Sequence, residues 1–351
     1  MQSHKGCLSG NAAVLVIAKV SAQTVFDVLI VGCGNIAGGF DADRTNLTLP
    51  LTHAGAFSTN AAFRLVACVE PDAERRQTFM KRWNVPLSFA NLEQALQHQL
   101  QPAVVSICSP TVAHVTTLEH ALAMRPRAIF CEKPVTASST QTLNLVRACD
   151  AANVLLAINY TRRWAPDVIR LKEQLEQGHW GKLRSLTGLY NKGILNNGGH
   201  MIDLVSMLAG PLKVLAAGVP IYDFWAEDPS IPALLQSDDA VSVTLSIADA
   251  RDYAVFELHI VTERGVISME AGGMNWRFRT CTDDEQFAGY RSLGQAAELP
   301  GEYPQAMRAA VTNLHEALTH GTALACTGQM ALRTQRLCEE IQDAAKCAQG
   351  S

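Results

Sequence analysis

The patterned part of the chain begins with FDVLIVG, Phe26 to Gly32, a continuous apolar run that ends at glycine. A run of that kind suits a strand buried on both faces, as in a parallel sheet. It recurs as RLVACV (Arg64 to Val69), AVVSIC (Ala103 to Cys108), RAIFC (Arg127 to Cys131) and VLLAI (Val154 to Ile158). Helical stretches separate the runs. PDAERRQTFMKRW opens with Pro71 and Asp72, good first-turn residues, and Val112 to Met124 and Ser138 to Ala151 carry apolar positions at helical spacing. Repeated strand–helix alternation predicts an α/β fold, a Rossmann-type doubly wound parallel sheet over residues 26–158.

After Ile158 the texture changes. An amphipathic helix is predicted from about Pro166 to Gln177, then a strand, Leu183 to Tyr190. NNGGHMIDLVSMLAG reads as a loop feeding a helix that stops at Gly210-Pro211. From Ala240 the runs VSVTLSI, YAVFELHIV, GVISME and NWRFRT alternate with turn residues and predict a large, open, mostly antiparallel sheet. Gln305 to Cys347 is Ala/Leu-rich and helical. The second unit is therefore an α+β domain over residues 159–351, whose C-terminal helices are free to pack back on the first. Residues 1–25 lack clear periodicity and read as a leader. AAVLVIAKV, Ala12 to Val20, weakly imitates a secretory signal, alongside the readings of a disordered leader, an upstream start site or an extra strand.

VGCGNIAG sets Gly32, Gly34 and Ala37 in the G-x-G-x-x-G/A pattern, with Asn35 and Ile36 between them. It follows the first strand and precedes an expected helix. Gly32 suits the tight turn, Gly34 lets backbone approach a pyrophosphate, and Ala37 is small enough for helix–strand packing. The next strand ends at Glu70, whose carboxylate suits ribose hydroxyls and repels a 2′-phosphate. That favours NAD, with NADP the alternative. Glu70 can equally cap the helix that follows. Asp41 to Thr52 reads as an insertion that lengthens the gap between the glycines and Glu70.

Composition narrows the field. With 351 residues and a formal charge of −4, the chain has room for two domains and no basic footprint for nucleic acid. No apolar run is long enough to span a membrane. Of the 10 cysteines, Cys33, Cys68, Cys108 and Cys131 sit in or beside apolar runs and no pair has C-x-x-C spacing, which reads as reduced thiols in a cytoplasmic protein. The 10 histidines form no ligand pattern, so no metal is expected.

Taken together, the glycine loop, SPTVAH (Ser109 to His114), CEKPV with Glu132, Lys133 and Pro134, NYTRRW (Asn159 to Trp164) and GGHMIDL (Gly198 to Leu204) resemble the glucose–fructose oxidoreductase / inositol dehydrogenase family, Gfo/Idh/MocA. The resemblance implies NAD(P) on the Rossmann domain, with Glu132, Lys133 and the backbone of Ser109 and Pro110 close to it. It implies Lys133 beside the reacting hydroxyl, often with a cis bond before Pro134, and His200 as acid/base. It also implies a second-domain sheet that walls the substrate cleft and joins subunits, making a homodimer or homotetramer. The chemistry agrees: carbinol oxidation needs a base that titrates near neutrality and positive charge where an alkoxide develops. Many members carry Asp four residues before the histidine; here it is Asn196, which cannot exchange a proton but can position a hydroxyl. Asp203 can orient the His200 ring or bind substrate. Arg162 and Arg163 suit an acidic sugar or nucleotide diphosphate, or an interdomain salt bridge. Tyr160 and Lys192 are further cleft candidates. The implied activity is hydride transfer between nicotinamide and a ring carbinol of a sugar, cyclitol or nucleotide sugar. The alternatives are an NAD-retaining glycoside hydrolase using transient oxidation, and a non-catalytic NAD/sugar sensor.

Overall fold

The computed structural model describes residues 24–349. The expected leader lies outside the described residues except for its last two. Six parallel strands form the first sheet: β1 (Phe26–Val31), β2 (Phe63–Val69), β3 (Leu87–Phe89), β4 (Val104–Ile107), β5 (Ala128–Cys131) and β6 (Leu155–Ile158). Their order is β3-β2-β1-β4-β5-β6, so the chain reverses direction of winding between β1 and β4. In such sheets ligands bind outside the carboxyl ends of the strands, at that switch point. β4 and β5 are buried at every position, the condition their unbroken apolar runs predict. β3 is a short edge strand with mixed polarity, and nothing in LSF distinguishes it from a loop.

The helices that cover this sheet are α1 (His53–Ser58), α2 (Ala73–Trp83), α3 (Leu92–Gln97), α4 (His114–Ala123) and α5 (Ser139–Ala151). Thr52, Asp72, Asn91 and Ser138 cap four of them, each side-chain oxygen accepting a backbone N–H two or three residues into the helix. The expected helix after the glycine loop is absent as a regular element. Asn35 to Ala37 form a turn with Gly38 and Gly39 N–H both donating to Gly34 O, followed by a single 3-10 turn, Gly39–Asp41. The physical cause is Asp41. Its fully buried carboxylate draws the chain back by accepting Leu51 N–H (2.9 Å), Thr52 N–H (2.9 Å), Thr52 Oγ1 (2.7 Å) and Arg44 (2.8 Å). The insertion is thus a closed loop that delivers Thr52 and His53 to the sheet.

The second sheet has nine strands. After α6 (Pro166–Glu176) come β7 (Leu183–Tyr190), α7 (Gly199–Ala209), β8 (Leu212–Ala217), β9 (Ala233–Ser237), β10 (Ser242–Ile247), β11 (Phe256–Thr262), β12 (Gly265–Glu270), β13 (Asn275–Asp283), β14 (Arg291–Leu293) and β15 (Ala297–Pro300). All pairings are antiparallel except β7 with β10. Register puts Leu235, Val243, Leu186 and Ile260 in one buried row, and Leu234, Thr244, Thr187 and His259 in an exposed row on the opposite face. The expected loop at 193–198 is a turn of π-helix, Gly193–Gly198, running directly into α7. Such turns recur at functional sites.

The C-terminal stretch divides at Gly321 into α8 (Ala306–His320) and α9 (Gly328–Gln349). α8 buries Met307, Val311 and Leu314 in the core of the first sheet, while α9 gives Leu337 and Ile341 to the second. The two cores are therefore tied by the chain end as well as by the 159–165 link. Asp41→Ala would leave the buried Thr52 N–H and hydroxyl and the part-buried Leu51 N–H without their acceptor, a buried unpaired donor costing about 1–3 kcal/mol. Urea denaturation of that variant is expected to show roughly 3 kcal/mol less stability.

Candidate active site

Gly32 has φ +84°, and a Cβ there would sit 2.7 Å from Ser109 N. Only glycine lets the loop after β1 lie against the loop after β4. Gly34 faces open space, with no atom within 4 Å of where its Cβ would stand. Asn35 is exposed, Ile36 is half-buried and Ala37 is fully buried against the core. The Ser109 hydroxyl is buried without a hydrogen-bond partner, in the same pair of loops as the open face of Gly34. A cleft of about 410 Å³ runs beside this loop between Gly34, Asn35, Asp72 and Arg75. A backbone that leaves room for phosphate, with an unpaired hydroxyl next to it, fits a dinucleotide.

Glu70 closes β2 with its carboxylate almost wholly buried. It accepts Cys33 N–H (3.0 Å), Asp72 N–H (3.1 Å) and the Arg75 guanidinium (3.4 Å). Its carboxylate braces both the glycine loop and the start of α2, while Asp72 caps that helix. Pro110 leads into a 3-10 turn, and His114 fastens that loop to the next. The His114 ring nitrogens lie 2.8 Å from Ser109 O and 3.0 Å from Pro134 O.

Beyond β5 the chain carries Glu132 and Lys133, and the Lys133–Pro134 bond is cis. Glu132 accepts from Asn159 Nδ2 (2.7 Å) and lies 3.0 Å from His53 Nε2, while His53 Nδ1 is 2.8 Å from Ser106 Oγ. Burial works against charge on His53, but the Cys108 sulfur and the Glu132 carboxylate outweigh it and push the ring up to about 10. Burial likewise opposes ionisation of Glu132, and His53 and Asn159 hold its carboxyl below the usual range. The two form a charged pair sealed behind the turn. A histidine at a helix start carries no sequence signal for this role, because its partners come from β4, β5 and the end of β6.

Lys133 Nζ donates to Asn196 Oδ1, the point where the two halves of the molecule meet. Burial lowers the lysine below its ordinary value, against the pull of Glu132 and Asp228. Asn196 Nδ2 donates to Lys192 O (3.1 Å), so its amide is fixed at both ends. His200 follows one turn later on α7, with its ring edge-on to Tyr160 at 5.4 Å. Burial, then the charges of Lys133 and Arg162, hold His200 well below its ordinary value. It is a neutral imidazole at pH 7, the protonation state a general base requires.

The remaining candidates divide. Arg162 belongs to the cluster: it donates to Gly272 O (2.9 and 3.1 Å) and lies 3.7 Å over the Phe256 ring and 4.8 Å over Tyr303. Arg163 and Asp203, expected at substrate, instead face each other. Arg163 Nε donates to both Asp203 oxygens (2.9 and 2.8 Å), and Asp203 also accepts from Thr334 (3.2 Å). Both are buried, so neither is presented to a ligand and Asp203 does not orient the His200 ring. Arg163 makes a salt bridge as one alternative had it, but within residues 159–351 rather than between the two domains. Tyr160 is buried, with its ring packed edge-on to that of His200. Lys192 has left-handed backbone and its ammonium lies 5.1 Å over the Phe224 ring. Asp228 escaped the sequence reading; it accepts Leu195 N–H (2.9 Å) and Asn196 N–H (3.0 Å) from a loop that carries no motif.

A switch-point parallel sheet with this glycine loop, facing a lysine–histidine cluster roofed by a second sheet, defines a Rossmann dinucleotide-binding protein with an added open-sheet domain. Residues 26–160 match the model of the oxidoreductase family with NAD-binding Rossmann fold, GFO_IDH_MocA. D-glucoside 3-dehydrogenase of Escherichia coli (strain K12) is 28% identical over 54% of this chain and 53% of its own length. Inositol 2-dehydrogenase of Rhizobium meliloti (strain 1021) is 23% identical over 70% of this chain and 71% of its own. The match thus spans only about half of the glucoside dehydrogenase. In fold, an oxidoreductase from Agrobacterium radiobacter in complex with NAD+, L-tartaric acid and magnesium superposes with TM-score 0.74, at 16% identity, covering 92% of this chain and 97% of that one.

Because His53 is raised from 6.5 to about 10, the stability its charged form draws from the Cys108 sulfur and the Glu132 carboxylate is full below pH 6.5 and drains as pH rises through 10. The melting temperature is expected to fall between pH 7 and 10. His53→Gln should melt lower at pH 7 and lose most of that alkaline slope, as scanning calorimetry across the range will report.

Proposed function

We propose that this protein is an NAD-dependent oxidoreductase that moves hydride between a ring carbinol of a sugar, cyclitol or nucleotide sugar and nicotinamide. The observation that carries the reading is the hydrogen bond from Lys133 to Asn196, which joins the cofactor-side loop to the helix bearing His200. The relatives named above, a glucoside and an inositol dehydrogenase, support the substrate class.

The glycine loop, Glu70 and Ser109 would hold the dinucleotide, and nicotinamide when bound supplies the hydride acceptor or donor. His200, kept neutral by burial and by the cations beside it, takes the hydroxyl proton at a ring nitrogen. Lys133 supplies positive charge where the oxygen becomes an alkoxide, in a site dry enough for that charge to count. Asn196 holds no exchangeable proton at this pH and orients the hydroxyl instead. Arg162 adds a second cation, suited to an acidic or phosphorylated substituent. Residues 26–158 then serve the cofactor, and residues 159–351 the substrate and contacts between subunits of a homo-oligomer. A cytoplasmic setting accords with the buried cysteines among the described residues, such as Cys33, Cys68, Cys108 and Cys131.

Lys133→Ala and His200→Ala should each cut turnover by about 10²-fold or more, measured as nicotinamide absorbance with sugars, inositols and nucleotide sugars. Near wild-type turnover in either variant removes that residue from the reaction. Glu70→Gln removes the charge that opposes a 2′-phosphate and frees Arg75, so the ratio of NADPH to NADH affinity is expected to rise about tenfold. Isothermal titration with both nucleotides measures it, and an unchanged ratio denies Glu70 that role.

A further inference from the structure

The charges around Lys133 do not balance without a residue from outside every motif. Glu132, its sequence neighbour, exerts the larger pull on Lys133, but that carboxylate is shared with the His53 ring at 3.0 Å and with Asn159 at 2.7 Å. Asp203 is closed off by Arg163 in a two-oxygen contact. Arg162 carries the same sign as Lys133 and raises the local positive charge. Burying two like cations without a counter-charge costs several kcal/mol.

Asp228 fills that gap. It is buried behind the π-helical turn, 8% exposed, with Oδ1 accepting Leu195 N–H and Oδ2 accepting Asn196 N–H. The turn is shaped around it: Gly193 has φ +83°, and a Cβ there would fall 2.1 Å from Asp228 Oδ2. The carboxylate thus sits on the backbone of the residue whose side chain accepts from Lys133 Nζ. We propose that Asp228 is a positioning residue that acts as the counter-charge of Lys133 through the Asn196 turn, supplying from a distant loop the negative charge that position 196 lacks. The inference rests on the reading of Lys133 as the oxyanion-stabilising group.

Asp228 and Lys133 stand within electrostatic reach of each other, each drawing the other toward its charged form. The other titratable groups facing Asp228 are Tyr190 of β7 and Cys338 of α9, both pushed up by burial and therefore neutral. Burial dominates at Asp228 too and pushes it up to about 6, so it is ionised at neutral pH and loses its charge below that. His200 and Arg162 complete the set around Lys133.

The test is the titration of Lys133 in the apo protein, by competitive acetylation with acetic anhydride across pH and mass spectrometry of the peptide that carries it. Asp228→Asn should lower the Lys133 pKa by roughly one pH unit, so that the free amine at pH 7 increases about tenfold. Asn196→Asp in the Asp228→Asn background returns one carboxylate to the turn and should bring the titration back to that of the unaltered protein. The double variant also serves if the single one fails to fold. An unchanged Lys133 titration in folded Asp228→Asn, or no recovery in the double variant, overturns the proposal and leaves Asp228 as a brace for the turn. A shifted titration with unaltered turnover keeps the counter-charge and instead removes Lys133 from the proposed reaction.

Discussion

The buried carboxylate of Glu132 is the constraint on which the site depends. An unpaired carboxylate at that depth would cost several kcal/mol, so its partners must be in place whenever the fold is. Those partners come from three directions: His53 at the start of α1, Asn159 at the end of β6, and Ser106 of β4 through the His53 ring. Each is fixed by something else. His53 is delivered by the Asp41-closed loop, and Asn159 stands where the chain leaves the first sheet. Satisfying one charge therefore aligns the glycine loop's insertion, the lysine turn and the entry to the second domain.

With Glu132 spent on His53, the chemistry passes to groups whose protonation is set by burial and by each other. Two cations and one neutral imidazole share the region: Lys133, Arg162 and His200. Burial and the neighbouring cations keep the imidazole neutral, while burial lowers the lysine against the pull of Glu132 and Asp228. The second salt bridge, Arg163–Asp203, uses the same residue types for a different end. It locks α7 to the 159–165 link and to Thr334 of α9, holding His200 at its distance from the first sheet.

The second sheet supplies a platform more than a source of reacting groups. Its buried row packs under α7 and α9, and its exposed row is left on the opposite face. It touches the site where Phe256 at the start of β11 and Gly272 in the turn after β12 grip Arg162, and where Tyr190 of β7 packs on the π-helical turn.

The sequence by itself determined the parallel sheet, because strands buried on both faces must be apolar throughout and the glycines that end β1 admit few other residues. It also marked Lys133, Asn196 and His200, since local motifs carry them. The tertiary structure decided what no local pattern encodes. Edge strands such as β3 have too little burial to leave a signature, and the helix expected after the glycines is overruled by Asp41 reaching forward to Leu51 and Thr52. Whether Arg163 meets a ligand or Asp203 is settled only when α7 docks. His53 and Asp228 become part of the site only because folding brings them beside Glu132 and the Asn196 turn. Charge must be balanced in space, and a sequence orders charges only along the chain.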